Sequence, residues 1–153
     1  MPKTEVEWLL EHAEVTGASP AFVWTYWTDV AHWDDPPASF ALEGPFASGA
    51  RGTTTLPGRE PLPWVLRDVR EGESYRIESE LAEARLVCEW SFESLPEGGT
   101  KLRQRIGVSG PGAARQAEAV RQGFGPTLPE GMQRIARLLA DAEATAREAG
   151  RAT

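Results

Sequence analysis

The amino-acid sequence predicts an α+β domain in which a curved antiparallel sheet of about seven strands wraps around a long C-terminal helix, with two short helices after the first strand. Ser74–Leu81, Arg85–Ser94 and Thr100–Ser109 alternate apolar with charged or polar residues, the pattern of strands with one dry and one wet face. From Leu128 to Ala149 the period changes, and Leu128, Met132, Ile135, Leu139 and Ala142 form one helical stripe. A sheet with one wet face needs its other face covered, and this helix is the element long enough to cover it.

Taken in order, Val6 to Gly17 combines alternation with a short apolar patch, Trp8-Leu9-Leu10, and reads as the first strand. Ser19-Pro20 is a helix start, with Ser as N-cap and Pro at the first helical position. Phe22, Val23, Trp24, Tyr26, Trp27 and Val30 leave that helix little polar face, so burial on most sides is expected. Ala31-His32-Trp33-Asp34-Asp35 reads as one further turn, stopped by Pro36-Pro37. Short strands follow at Ser39–Leu42, Gly49–Leu56 and Pro63–Val69, punctuated by Gly44-Pro45, Pro57-Gly58 and Glu71-Gly72.

In the alternating strands Tyr75, Ile77, Ser79 and Leu81 oppose Arg76, Glu78 and Glu80. Leu86, Cys88, Trp90 and Phe92 oppose Glu89, Ser91 and Glu93, and Leu102, Ile106 and Val108 oppose Lys101, Arg103 and Arg105. Pro96-Glu97-Gly98-Gly99 makes the hairpin between the last two. Acidic residues on one strand beside basic ones on the next predict cross-strand pairs on a solvated face, each worth little. Ala113 to Gln122 is a polar, Ala-rich helix interrupted by Gly123-Phe124-Gly125-Pro126, and Gly150 is the expected end of the last helix. No internal repeat, linker or second domain is visible, so residues 1–153 read as a single domain.

A chain of 153 residues, 41% of them hydrophobic, can bury a core without staples and is not a disordered tail. Its 16 basic and 23 acidic residues give a net charge of -7, which repels a phosphate backbone and disfavours anionic membrane surfaces. The single cysteine, Cys88, excludes an internal disulfide. Met1-Pro2-Lys3-Thr4-Glu5 does not open a secretory signal, and no apolar run reaches the length of a membrane span, so a cytoplasmic location is expected. His, Cys, Asp and Glu show no metal-ligand spacing, and Gly123-Phe124-Gly125 is not a phosphate loop, so neither metal nor cofactor is expected.

The opening Ala18-Ser19-Pro20-Ala21-Phe22-Val23-Trp24, then Trp27-Thr28-Asp29 and His32-Trp33, resembles the START-like (SRPBCC) helix-grip superfamily, in particular its polyketide cyclase/dehydrase and lipid-transport branch. Gly44-Pro45-Phe46 and Gly49-Ala50-Arg51-Gly52 are similar to its second and third strands, and Glu97-Gly98-Gly99-Thr100-Lys101-Leu102 to its last hairpin. The resemblance runs from about Leu10 to Ala146 and implies a ligand cavity between sheet and C-terminal helix. It leaves the reaction open, because one fold hosts many functions.

Candidate site residues follow from both lines. Six Trp, five Phe and two Tyr are a large aromatic supply, more than a two-layer domain needs for its core. Trp24, Trp27, Trp33, Phe46, Trp64 and Tyr75 converge on the interior from different elements, as do Trp90, Phe92 and Phe124. Ile77, Leu86, Cys88, Leu102 and Ile106 complete the expected apolar wall of the sheet, and Leu128, Met132 and Ile135 that of the helix. Trp90, Tyr75 and Met132 stand out because the sheet centre faces the helix there, and Met132 is an adaptable wall. Cys88, on an apolar strand face, reads as a packed core thiol rather than a nucleophile.

His12, Glu14 and Thr16 share one face of the first strand. Simple alternation buries Ala13 and Val15 and exposes the polar set, which is the favoured reading. The family resemblance instead turns Thr16 inward, which would make His12 and Glu14 weak candidates for an acid/base pair in the cavity. His32 reads as a capping or surface residue, with a gate at the cavity mouth as the alternative. Gly123 to Gly131 is the segment where mobility beside that mouth is expected.

Three functions compete. The first is binding a hydrophobic small molecule, whether lipid, quinone or polyketide-like aromatic, and it needs a hollow beneath the long helix. The second is a polyketide cyclase, aromatase or dehydratase, which also needs ionisable groups inside. The third is a chaperone-activator-like protein-interaction module, which needs a broad exposed apolar patch. The sequence is silent on oligomeric state.

Overall fold

Seven strands form one antiparallel sheet in the order β1-β7-β6-β5-β4-β3-β2 in a computed structural model that describes residues 5–33 and 37–151. The strands are β1 (Glu7–Thr16), β2 (Ser39–Leu42), β3 (Arg51–Thr55), β4 (Leu62–Arg70), β5 (Ser74–Leu81), β6 (Ala84–Ser94) and β7 (Thr100–Ser109). The helices are α1 (Pro20–Trp27), α2 (Ala113–Phe124) and α3 (Leu128–Arg151), with a 3₁₀ turn at Val30–His32 after α1. From β2 to β7 the sheet is a meander of sequential hairpins, and β1 returns to close the far edge beside β7. The expected α+β architecture is therefore present; the bend read at Asp34, Asp35 and Pro36 lies outside the described residues.

Local chemistry sets the helix starts. Ser19 caps α1 by accepting from the backbone N–H of Phe22, and Asp29 caps the 3₁₀ turn through Ala31 N–H. Burial of α1 is narrower than its composition suggests: Val23 and Trp27 are buried, whereas Ala21 and Thr25 are exposed. Two helix ends also differ from the sequence reading. α2 continues through Gly123 to Phe124, and α3 passes through Gly150. A helical glycine costs only about 1 kcal/mol relative to Ala, too little to stop a helix whose neighbours favour it. The break comes at Gly125, where a Cβ would lie 2.6 Å from the Arg121 carbonyl oxygen.

The concave face of the sheet holds the core. Trp64 and Leu66 of β4, Tyr75 of β5, Trp90 of β6, and Leu102 and Ile106 of β7 are each at most 5% exposed. Met132, Ala136 and Leu139 of α3 lie over the same core. A second cluster forms where α2 sets Val120 against Ile106 and Val108, with Leu10, Leu86 and Leu128 around it.

The convex face carries the predicted charges as a ladder. Arg76 on β5, Glu89 on β6 and Arg105 on β7 are direct cross-strand partners, at 2.9 Å and 2.6 Å from the carboxylate. Partial burial pushes the Glu89 carboxyl up, but hydrogen bonds from Arg105 and Arg76 outweigh it and hold the group below its ordinary value. Trp8 lies across this face, with the Arg105 guanidinium 4.0 Å from its ring centroid.

Two polar ties fix α3 over the sheet. Thr16 Oγ1 donates to the Ala136 carbonyl at 2.7 Å, and Glu143 accepts from the Ser19 hydroxyl at 2.7 Å and from its backbone N–H at 3.1 Å. The Ser19 hydroxyl holds the Glu143 carboxyl below its ordinary value, with a smaller contribution from Arg147. Because the folded pKa is depressed, this tie stabilises the protein above the unfolded value of 4.5 and is lost as pH falls through the folded pKa. Glu143→Ala is expected to cost about 1–3 kcal/mol at neutral pH, and urea melts across pH should show the gap to wild type closing on acidification.

Gly52 faces Trp64 across the β3–β4 pair, and a Cβ there would collide with the indole ring. That ring is also held by Trp33 stacking and by its hydrogen bond to Thr54. Gly52→Ala is therefore expected to destabilise by about 1–3 kcal/mol, read as a lowered thermal midpoint.

Candidate functional site: the concave face beneath the helices

The direction of β1 decides what lines the inner face, and it corrects the favoured sequence reading. Thr16 is 2% exposed and bonds α3, whereas Val15 is 60% exposed. His12 and Glu14 share the Thr16 face, so they point inward and Ala13 and Val15 outward. A register shift between Trp8 and Leu10 separates the two ends of the strand. Trp8 stays on the convex face, while Leu10 turns in with Val120, Ile106 and Leu128.

Register then places the inner residues in rows. His12, Gln104, Trp90 and Tyr75 are successive partners across β1, β7, β6 and β5. Beside them run Leu10, Ile106, Cys88, Ile77 and Leu66. Neighbours in such rows sit about 4.5–5.5 Å apart at Cα.

In the first row His12 Nε2 lies 2.6 Å from Glu14 Oε2, with side chains 26% and 24% exposed. Gln104 Nε2 donates to Cys88 Sγ at 2.9 Å. Burial pushes the Cys88 thiol up to about 11, the Gln104 bond opposing it in part, and burial likewise raises the Tyr75 phenol well above its ordinary value. Both groups are therefore neutral at physiological pH.

The expected aromatics do come together, but mainly on one another. Trp24 meets Phe46, Tyr75 and Phe92 edge-on, Trp27 packs on Trp33 and Trp90, and Trp33 stacks on Trp64. Their polar atoms are spoken for: Trp27 Nε1 donates to Tyr75 Oη at 3.0 Å and Trp33 Nε1 to the Trp27 carbonyl at 2.7 Å. Tyr75, Trp90, Met132, Leu102 and Ile106 are closed off and form the buried base of the inner face. Ile77, Leu86, Cys88, Leu128 and Ile135 face the same interior yet keep partial exposure. Phe124 stands 41% exposed at the end of α2.

His32 stacks on Tyr26 at 3.7 Å between ring centroids, and its Nδ1 lies 2.7 Å from the Tyr26 carbonyl oxygen. That is a turn-fixing role. Two surface hollows, of about 480 and 150 Å³, lie on the charged convex face, around Glu89 and Arg105 and around Arg67 and Glu78. Neither reaches beneath α3. Among the described residues no group of three or more His, Cys, Asp or Glu is placed to hold a metal, and no helix is long and apolar enough to cross a membrane.

Sequence reasoning missed Gln104. Its parity with Leu102 and Ile106 was the available signal, since a polar residue in an apolar inward set must find a partner inside.

A sheet gripping a long C-terminal helix, with three helices on its concave side, defines the START-like helix-grip fold. The sequence agrees, and the chain belongs to the polyketide cyclase/dehydrase and lipid transport family, whose profile matches residues 8–140. No curated protein sequence matches it. Solved structures share the fold at low identity. Norcoclaurine synthase from Thalictrum flavum, in complex with dopamine and hydroxybenzaldehyde, has a TM-score of 0.64 at 13% identity, covering 91% of this chain and 89% of that one. Protein MLL2253 from Mesorhizobium loti has a TM-score of 0.65 at 17% identity over 85% and 95% of the two chains. Ara h 8.0201 has a TM-score of 0.62 at 17% identity over 90% and 99%.

The neutral Cys88 thiol yields a test of the inner face. Iodoacetamide alkylation of the folded protein at pH about 8 should be at least ~100-fold slower than after unfolding. Equal rates would show the thiol to be free and ordinary.

Proposed function

We propose that the chain binds a hydrophobic small molecule on the concave face, between the central strands and the α2–α3 roof. The observation that carries this reading is the uneven closure of the interior. The protein's own rings pack on one another beside α1, while Ile77, Leu86, Leu128 and Ile135, packed against the two core clusters, keep partial exposure. An apolar wall with a few polar groups is what a small apolar ligand needs for burial and orientation. Family membership supports the same reading, and the structure complexed with dopamine and hydroxybenzaldehyde is one instance of small aromatic molecules held by this fold.

An activity of the cyclase or dehydratase kind needs the same hollow plus a group that moves protons, and the inward His12–Glu14 pair favours it as the second reading. A protein-interaction module finds less support. The exposed large hydrophobics among the described residues, Val15, Leu62 and Phe124, sit on three separate elements rather than in one patch.

Native mass spectrometry of gently purified protein, with extraction of what co-purifies, tests the proposal; a bound lipid, quinone or aromatic is expected. Ile135→Trp, which fills the open part from the helix side, should abolish that adduct at a stability cost of about 1–3 kcal/mol. Adduct retention in this variant would place the ligand elsewhere.

A further inference from the structure

The His12–Glu14 pair sits at the edge of the proposed hollow with a defined protonation pattern. An ionised carboxylate only accepts hydrogen bonds, so the 2.6 Å approach of Glu14 Oε2 puts the imidazole proton on Nε2. The other ring nitrogen, Nδ1, then carries a lone pair, and it has no hydrogen-bond partner among the described residues. A base oriented by a carboxylate, with its free nitrogen available, is the arrangement that accepts a proton and stabilises the resulting imidazolium. Its surroundings leave that task to it. Cys88 and Tyr75, the ionisable groups nearest on the inner face of β5 and β6, are neutral, and Gln104 beside His12 is an amide.

We infer that the His12–Glu14 dyad recognises an acidic hydroxyl, phenolic or enolic, on the hydrophobic ligand. On binding, the ligand O–H bond breaks and its proton joins His12 Nδ1. The electron pair stays on the ligand oxygen as phenolate or enolate, which accepts a hydrogen bond back from Nδ1–H. The Nε2 proton remains on the histidine, shared with Glu14, so one positive charge faces two negative ones across the imidazolium. The inference rests on the concave hollow proposed above and adds the class of ligand it selects.

The test compares 4-nitrophenol with its methyl ether, 4-nitroanisole, on the full chain, buffered below the phenol's own pKa. Tryptophan quenching reads affinity, and the visible phenolate band reads the state of the bound probe. The wild type should bind the phenol about tenfold tighter than the ether, the worth of one charge-assisted hydrogen bond, and should turn it yellow. His12→Gln should lose both the preference and the band, and Glu14→Gln should weaken both. Equal affinity for the two probes with no phenolate band in wild type would overturn the dyad and leave the hollow standing. A band that survives in His12→Gln would also overturn it. Binding of neither probe would remove the hollow and the dyad with it. The wild-type comparison needs no variant, so a misfolded mutant does not rescue the idea.

Discussion

The placement of α3 rests on two short hydrogen-bonded ties near the β1–α1 corner. Thr16 gives its hydroxyl proton to a carbonyl in the middle of the helix, and Ser19 presents its hydroxyl and backbone N–H to Glu143 two turns further on. Apolar contact alone is non-directional and would let a helix slide or rotate over a smooth sheet. A buried threonine and a buried carboxylate each have one geometry that satisfies them, and missing it leaves a desolvated polar group. The rotation of α3, and so the choice of Met132, Ala136 and Leu139 as its inner face, is pinned there.

The same corner orients β1. Thr16 can reach α3 only if its face of the strand points inward, and period 2 then carries Glu14 and His12 in with it. The bulge at Trp8 and Leu10 frees Trp8 to lie outside, over the Arg76–Glu89–Arg105 ladder. One strand thus serves the charged convex face at its start and the concave face along the rest. Its inward polar residues are tolerable because each has a partner and because an edge strand is never fully enclosed.

Much of this was readable from the sequence. The strand set and long helix followed from periodicity, the charge ladder from opposite signs on adjoining alternating strands, and the Ser19 cap from its position before Pro20. The first strand resisted, because Ala13 and Val15 look more buriable than His12 and Glu14, and alternation carries no information about which parity a remote hydroxyl will select. The long-range partners Ala136 and Glu143 have no local signature at Thr16 or Ser19. The aromatics misled in another way. Their number suggested a lined pocket, yet rings of this size close much of the interior by packing on one another.

That self-packing narrows where the proposed ligand can sit. Were the whole concavity open, a ligand would have many poses and no reason to meet the polar edge. With Trp24, Trp27, Tyr75, Trp90 and Phe92 packed on one another, Ile77, Leu86, Leu128 and Ile135 are among the inner-face residues that keep partial exposure. Cys88 and Gln104 share this face, and His12 lies one strand beyond Gln104. In the proposed binding mode an apolar molecule seated there has one polar end beside His12, and it displaces none of the packed rings. On the proposed reading the core aromatics limit the space left to a ligand, and the edge strand supplies the chemistry.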